Sequence, residues 1–317
     1  MPAFTFGAGV QWFEAYEAAR EHNRAIVGAA SRSVGAAGGW FAGGGHSAIA
    51  PNYGLGMPNS PVRSKSCSPN SFVGVDNVLE IMIVTADGDH VVANQYQNED
   101  LFWALRGGGG GTWGVVTSVT YKTYPSTPLS SALLLANSTN TNSTRNILAE
   151  IIRLTPSLVE QGYGGYCLIS TGQIQLFFLS PNITAEEIRA KFLPFFEFTA
   201  SQPGLSVQNS TAVYQDFWSW YESVVAPLIN PVGIPTEMSS WLLPKDIIQT
   251  DKPEDLAAEL LNITSAFGYL SVFFHNLGNT RIWTLSFSPV ASSLVDRFHV
   301  WAPIPRVLTL LGEIAWP

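Results

Sequence analysis

The sequence predicts an α+β fold in two parts. Residues 1–127 form a glycine-rich, strand-dominated part, and residues 128–317 form an α+β part. Three observations carry this reading. The run Val78–Thr85 (VLEIMIVT), the hairpin turn signal Asp87-Gly88 and the returning run His90–Ala93 mark antiparallel sheet in the first part. Pro125-Ser126-Thr127-Pro128 punctuates the chain as a boundary. Beyond it, strand and helix patterns alternate with fewer glycines.

The elements follow in order. Ala3–Phe6 is a short strand, and Trp12–His22 is a helix with Phe13, Tyr16 and Ala19 at helical spacing and Asn23 as its stop. Ala25–Val27 starts a strand, and 28–56 is glycine-rich loop. Glu99–Leu105 is a short helix, five glycines follow at 107–111, and Gly114–Tyr124 alternates as a strand rich in Val and Thr. In the second part, Arg145–Glu160 is amphipathic and Gln173–Leu179 is a strand. Thr184-Ala185-Glu186-Glu187 is a capping box opening a helix to about Phe198. Tyr214–Val225 and Glu254–Leu261 read as helices, and Leu270–Phe274 as a strand. An aromatic helix face with Phe217, Trp218, Trp220 and Tyr221 reads as core more readily than as pocket lining.

Composition excludes several classes. Charged residues are 13% of 317, about half the usual share of roughly 25%, and hydrophobic residues are 46%. Disordered chains, coiled coils and collagen-like fibres do not look like this. No run approaches the roughly 18 apolar residues of a membrane span. The net charge of −8, without a Lys/Arg cluster, argues against a nucleic-acid partner. Cys67 and Cys167 are too few for a disulfide framework or a zinc site. Five N-x-S/T sequons, at Asn137, Asn142, Asn182, Asn209 and Asn262, lead us to expect a secreted glycoprotein. Residues 1–7 do not read as a leader, and both chain ends are expected to be truncated.

The glycine segments are the chemical signal. Without a Cβ, a glycine backbone can approach phosphate oxygens closely. A P-loop is excluded because no Gly-Lys pair occurs. Gly7-Ala8-Gly9-Val10-Gln11-Trp12 lacks the third glycine of a Rossmann fingerprint. The run from Gly35 to Ser47 admits two readings. It is either a tight crossing where only glycine fits, or a cradle of backbone donors for a dinucleotide pyrophosphate. For Gly107–Gly111 the structural reading is favoured.

These segments occur in a recognisable order. Gly7-Ala8-Gly9-Val10, Val34-Gly35-x-x-Gly38-Gly39, Gly43-Gly44-Gly45-His46-Ser47 and Tyr53-Gly54-Leu55-Gly56 come first. Val75-Asp76-Asn77-Val78-Leu79-Glu80, Leu101-Phe102-Trp103-Ala104-Leu105-Arg106-Gly107 and Trp113-Gly114-Val115-Val116-Thr117 follow. Together they resemble the PCMH-type FAD-binding domain of the vanillyl-alcohol-oxidase family, in its berberine-bridge-enzyme-like branch. The resemblance is close over residues 1–128 and loose over 129–275, and residues 278–317 are unplaced. It implies a partial FAD-binding domain followed by a substrate domain. It implies an oxidase that passes a hydride from a small alcohol, sugar or secondary metabolite to FAD, with O2 as acceptor. It places FAD contacts on Ser31, Ser33, Val34, Gly35, Gly38, Gly39, Gly43, Gly44, Gly45, His46, Ser47, Gly54, Gly114 and Val116. No catalytic base is assigned, and the oligomeric state is left open.

Two departures from the family pattern stand out. Many members attach FAD through a Cys three residues before the Val-Gly pair; here that position is Ser31. The family reads Gly-Leu-Gly directly into Val-Asp-Asn-Val, whereas Met57–Gly74 (MPNSPVRSKSCSPNSFVG) interrupts this chain. Removing it restores the family pattern in frame, and degenerate codons at its ends accommodate splice signals. A retained intron is the expectation, with a surface insertion as its rival. The alternative functional reading is a non-catalytic fragment that does not hold FAD.

Overall fold

The computed structural model describes residues 1–53, 74–170, 172–227, 239–243, 248–249, 252–274 and 283–289. Gly54, all of the 57–74 interruption except Gly74, and residues 278–282 and 290–317 lie outside the described residues.

Two sheets organise the chain. The first has strand order β1-β5-β3-β4, built from β1 (Ala3–Gly7), β3 (Val78–Val84), β4 (His90–Asn94) and β5 (Val115–Lys122). Each neighbouring pair is antiparallel, and β3 meets β4 through the Asp87-Gly88 turn, with Gly88 at φ +87°. Helix α1 (Trp12–Glu21) packs Trp12, Ala15, Tyr16 and Ala19 inward from one face. A two-stranded ribbon pairs β2 (Arg24–Ala25) with β6 (Tyr124–Pro125). Two single-turn helices, α2 (Gly39–Ala42) and α3 (Ala50–Tyr53), interrupt the glycine loop, and α4 (Glu99–Leu105) precedes the five-glycine run.

The second sheet has seven strands in the order β10-β7-β9-β8-β12-β13-β11. They are β7 (Leu129–Ser138), β8 (Gly164–Ser170), β9 (Gln173–Pro181), β10 (Leu205–Tyr214), β11 (Ser239–Leu243), β12 (Gly268–Phe274) and β13 (Trp283–Pro289). Helices α5 (Thr141–Glu160), α6 (Ala185–Ser201) and α8 (Pro253–Phe267) cover one face. Alternate residues of each strand point that way: Ala132, Leu134 and Ala136 of β7, and Ile174, Leu176 and Phe178 of β9, meet Ile147, Ile151, Phe192 and Leu260. The intervening residues Leu129, Tyr166, Phe177 and Leu179 point to the other face and join the core of the first sheet. Helix α7 (Phe217–Trp220), continued by a π-turn over Tyr221–Val225, packs into that same core.

Sequence reading missed β7, β8, β10, β11 and β13 here, and the first three show why. The β7 segment LSSALLLANS is rich in Ala and Leu, which have no strand preference, and it forms a strand because it lies between β9 and β10 with both faces covered. The β8 segment opens on Gly164-Gly165, usually a break. Here a Cβ at Gly165 would lie 2.0 Å from the Phe177 carbonyl oxygen, and one at Gly164 would lie 2.0 Å from that of Ala48. The sheet and the glycine loop approach too closely for any side chain. The β10 segment is polar because it is an edge strand with an exposed face. Its last residue, Tyr214, was expected in a helix; that helix starts at Phe217, with the Asp216 carboxylate accepting from the Ser219 amide at 2.7 Å. The Thr184–Glu187 capping box forms as expected.

Candidate cofactor site

The loop from Gly28 to Tyr53 runs between the two sheets with little regular structure of its own, and its path is set by what it touches. On one side it follows the start of α1. The Trp12 amide donates to the Val34 carbonyl at 3.0 Å, Phe13 to Arg32 at 3.2 Å, and Ala36 to Val10 at 2.8 Å. On another side lies the five-glycine run, where the Gly109 amide donates to the Ala42 carbonyl at 2.9 Å. A Cβ on Gly110 would come within 3.0 Å of the Gly39 Cα. Gly107–Gly111 therefore serves close backbone approach, the structural reading of that run. From the second sheet, the Tyr166 ring packs edge-on against His46, with centroids 4.7 Å apart.

The loop glycines fall into two groups. A Cβ added at Gly35, Gly38, Gly39 or Gly44 would meet nothing within 4 Å among the described residues. At Gly35, Gly38 and Gly39 packing does not require glycine, whereas Gly44, at φ +102°, needs it for its backbone conformation. A Cβ at Gly45 would lie 2.9 Å from the Trp40 ring, and one at Gly43 would lie 3.2 Å from the Gly39 carbonyl oxygen. Gly114 has φ +144°, and its Cβ would lie 2.3 Å from the Val84 carbonyl oxygen. Gly43, Gly44, Gly45 and Gly114 are thus needed by the fold itself. Both readings of the run from Gly35 to Ser47 hold, at different residues.

The remaining predicted contacts take their places around this loop. Ser31 and Val34 are half-buried, Ser33 is exposed, and Val116 is half-buried at the entry to β5, paired with Ile83 of β3. Ser47 is buried, and its hydroxyl has no hydrogen-bond partner among the described residues. An orphaned buried hydroxyl requires explanation, since leaving one unpaired costs about 1–3 kcal/mol. Gly54 lies outside the described residues. No group of three or more His, Cys, Asp or Glu able to hold a metal occurs among the described residues. Cys167 is a buried free thiol in β8, on the strand face that meets the helices, and burial pushes its pKa up.

Sequence reasoning missed the tyrosines around the loop. Tyr16 donates to the Ala29 carbonyl at 2.7 Å, Tyr221 to Ala30 at 2.8 Å, and Tyr121 to Ala36 at 2.5 Å. Tyr124 donates to the Tyr53 carbonyl and to the Asn77 side-chain oxygen, the latter at 2.7 Å. Burial raises the pKa of Tyr16 and Tyr121, and that of Tyr221 to about 12, so these hydroxyls keep their protons. No sequence signal joins them, because donor and acceptor are up to 191 residues apart.

Comparison with known proteins bears on what the loop holds. No family model matches the chain. An uncharacterised FAD-linked oxidoreductase of Arthroderma benhamiae is 37% identical over 223 residues, covering 68% of this chain and 36% of that protein. The FAD-linked oxidoreductase OXR2 of Pyricularia oryzae is 31% identical, covering 99% of this chain and 53% of that protein. Among solved structures, the VAO-type flavoprotein MtVAO615 of Myceliophthora thermophila superposes with a TM-score of 0.73 at 26% identity, covering 91% of this chain and 53% of that one.

The chain belongs to the FAD-linked oxidoreductases of the VAO and berberine-bridge type. FAD is the cofactor of that family. The chain spans about a third to a half of the length of the first curated relatives it matches. Berberine bridge enzyme of Eschscholzia californica shares the fold, with a TM-score of 0.63 at 16% identity over 90% of this chain and 57% of its own. The loop fits a flavin dinucleotide on two observations. Three of its glycines, Gly35, Gly38 and Gly39, leave open the space that a Cβ would fill, and Ser47 offers a buried hydroxyl with no partner among the described residues.

Proposed function

We propose that this FAD-linked oxidoreductase binds FAD along the loop from Ser31 to Ser47 and oxidises a small neutral substrate with O2 as acceptor. The open glycines Gly35, Gly38 and Gly39 carry the proposal. They let a pyrophosphate lie against the backbone, where amide groups act as donors. Ser47 offers a hydroxyl already stripped of water. Gly114 and Val116 border the cofactor where the chain enters β5. When bound, FAD supplies the hydride acceptor, and the protein supplies its position and surroundings.

The uncharged second sheet supports a neutral alcohol or sugar as substrate. Its seven strands contain no Asp, Glu, Lys or Arg. On the face opposite the helices, Gln175 donates to Gln173 at 3.3 Å, and Gln173 donates to Asn137 at 3.1 Å, a chain of half-buried to exposed side-chain amides. Amides and hydroxyls match the donors and acceptors of a polyol without the desolvation cost of a charge. Chitooligosaccharide oxidase, a structural neighbour at TM-score 0.65 and 15% identity, shares the fold.

Ser31 bears on attachment. A glucooligosaccharide oxidase of Acremonium strictum holds a 6-S-cysteinyl, 8α-N1-histidyl FAD. The Ser31 hydroxyl cannot form a thioether, so the flavin has no cysteinyl bond at this position. Secretion and glycosylation belong to the same reading, because all five sequon asparagines are exposed. All five also lie in the part built on the second sheet, leaving residues 1–127 free of glycan.

The test is anaerobic mixing of the FAD-loaded protein with panels of neutral alcohols and sugars, carboxylates and amines. Bleaching of the flavin by neutral compounds, reversed by O2 with release of H2O2, is expected. Bleaching by charged compounds alone would overturn the substrate class, and reduced flavin that persists in O2 would overturn the acceptor.

A further inference from the structure

The loop that borders the open glycines has almost no hydrogen-bonded ladder of its own between Ile26 and Gly38. Such a segment would sample many conformations unless something outside it restrained the backbone. Besides the backbone bonds of Arg32, Val34 and Ala36 to residues 10–13, the restraints are tyrosine hydroxyls. Tyr16 comes from α1, Tyr121 from β5, Tyr124 from β6 and Tyr221 from the π-turn after α7. They reach the carbonyls of Ala29, Ala36, Tyr53 and Ala30 respectively. Tyr16, Tyr121 and Tyr221 are nearly fully buried, so their bonds do not compete with water.

We propose that Tyr16, Tyr121 and Tyr221 are positioning residues that aim amides of the cofactor loop, with Tyr124 anchoring the carbonyl of Tyr53 at its far end. The peptide unit is planar and trans, so a carbonyl and the following amide point in opposite directions. A hydroxyl that draws the Ala30 carbonyl inward turns the Ser31 amide away from Tyr221. The Tyr121 hydroxyl does the same to the Ala37 amide through the Ala36 carbonyl. Each tyrosine thereby fixes a donor direction without touching the ligand.

Tyr221 adds a link between the two parts of the chain. It belongs to the segment that follows β10, yet it holds Ala30, and its neighbour Glu222 pairs with Arg32 of the loop at 2.7 Å. Tyr16 packs against both Tyr221 and Phe217, with centroids 5.0 and 5.2 Å apart. The loop therefore reaches its binding shape only when the 217–225 segment is docked on it. The significance for the cofactor rests on the flavin reading above; the tethers themselves do not.

The test uses Tyr221→Phe and Tyr121→Phe in the full chain, which keep the rings and remove the hydroxyls. Tyr163→Phe is the control, because its ring packs against Phe192 on the helix side of the second sheet. Amide hydrogen exchange of the cofactor-free protein is read first, and FAD affinity by titration second. Loss of one tether is expected to speed exchange over 29–47 about fivefold, the equivalent of one hydrogen bond, with β7–β9 unchanged. FAD affinity should fall by a similar factor, because fewer molecules hold the binding-competent loop. Unchanged loop exchange, or equal acceleration in β7–β9, overturns the tethering role. Faster loop exchange with unaltered FAD affinity overturns the positioning role. A wild-type chain that binds no FAD fails the flavin reading instead, and loop exchange still decides the tethers.

Discussion

Alanine substitution at two kinds of glycine separates ligand-facing backbone from fold-required backbone. At Gly35 and Gly39 the new methyl meets nothing within 4 Å among the described residues. Stability should change by no more than about 0.5 kcal/mol, or rise slightly through the less flexible unfolded chain. A bound pyrophosphate would meet that methyl. Crowding a close contact by one carbon costs about 1–3 kcal/mol, so FAD affinity should fall roughly tenfold or more. Gly114→Ala does the opposite. Its φ of +144° is strained for alanine, and its Cβ would lie 2.3 Å from the Val84 carbonyl oxygen. Strain and overpacking together predict a loss of about 2–5 kcal/mol. Thermal melting gives the stability arm, and flavin fluorescence titration of the folded variants gives the affinity arm. If Gly35→Ala and Gly39→Ala bind FAD as the parent does, the open space is not a cofactor groove. If they unfold like Gly114→Ala, the division of the glycines is wrong.

Other predictions follow from the same geometry. Trp12 is fully buried, with its ring against Tyr16, Trp40 and Tyr121 and filling the space beside Gly28, so Trp12→Ala should cost about 3–5 kcal/mol in denaturant melts. The Arg32–Glu222 pair is partly exposed on both sides, so Glu222→Gln should cost less than about 1 kcal/mol, a difference that shrinks further in high salt. Stability should fall in alkali. Unfolded tyrosines ionise near pH 10, whereas burial holds Tyr16 and Tyr121 above that value and Tyr221 up to about 12. Between those values the unfolded chain binds fewer protons than the folded one, so the stability present below pH ~10 is lost as pH rises through the folded values. Denaturant midpoints and tyrosinate absorbance should shift together in this window; early ionisation without unfolding would contradict the buried tethers.

Much of the first part was legible in the sequence because its punctuation is chemical. Val78–Val84 is a short apolar run followed by a DG turn, and several glycines mark where backbone meets backbone. What the sequence could not sort was which glycines face a ligand and which face the protein. Gly39 and Gly43 look alike in sequence, yet only Gly43 is hemmed in, by the Gly39 carbonyl. The second part was harder to read, since β7 and β8 owe their strand state to neighbours rather than to their own residues. The tyrosine tethers were invisible because Tyr221 and Ala30 meet only in the folded chain.

The measurement that tests the central claim most directly is an equilibrium titration of the cofactor-free protein with FAD, followed by gel filtration. The account predicts saturable quenching of flavin fluorescence and a yellow protein peak. Flavin that elutes entirely with the small molecules, from a folded protein, would contradict the assignment of the loop from Ser31 to Ser47 as its cradle.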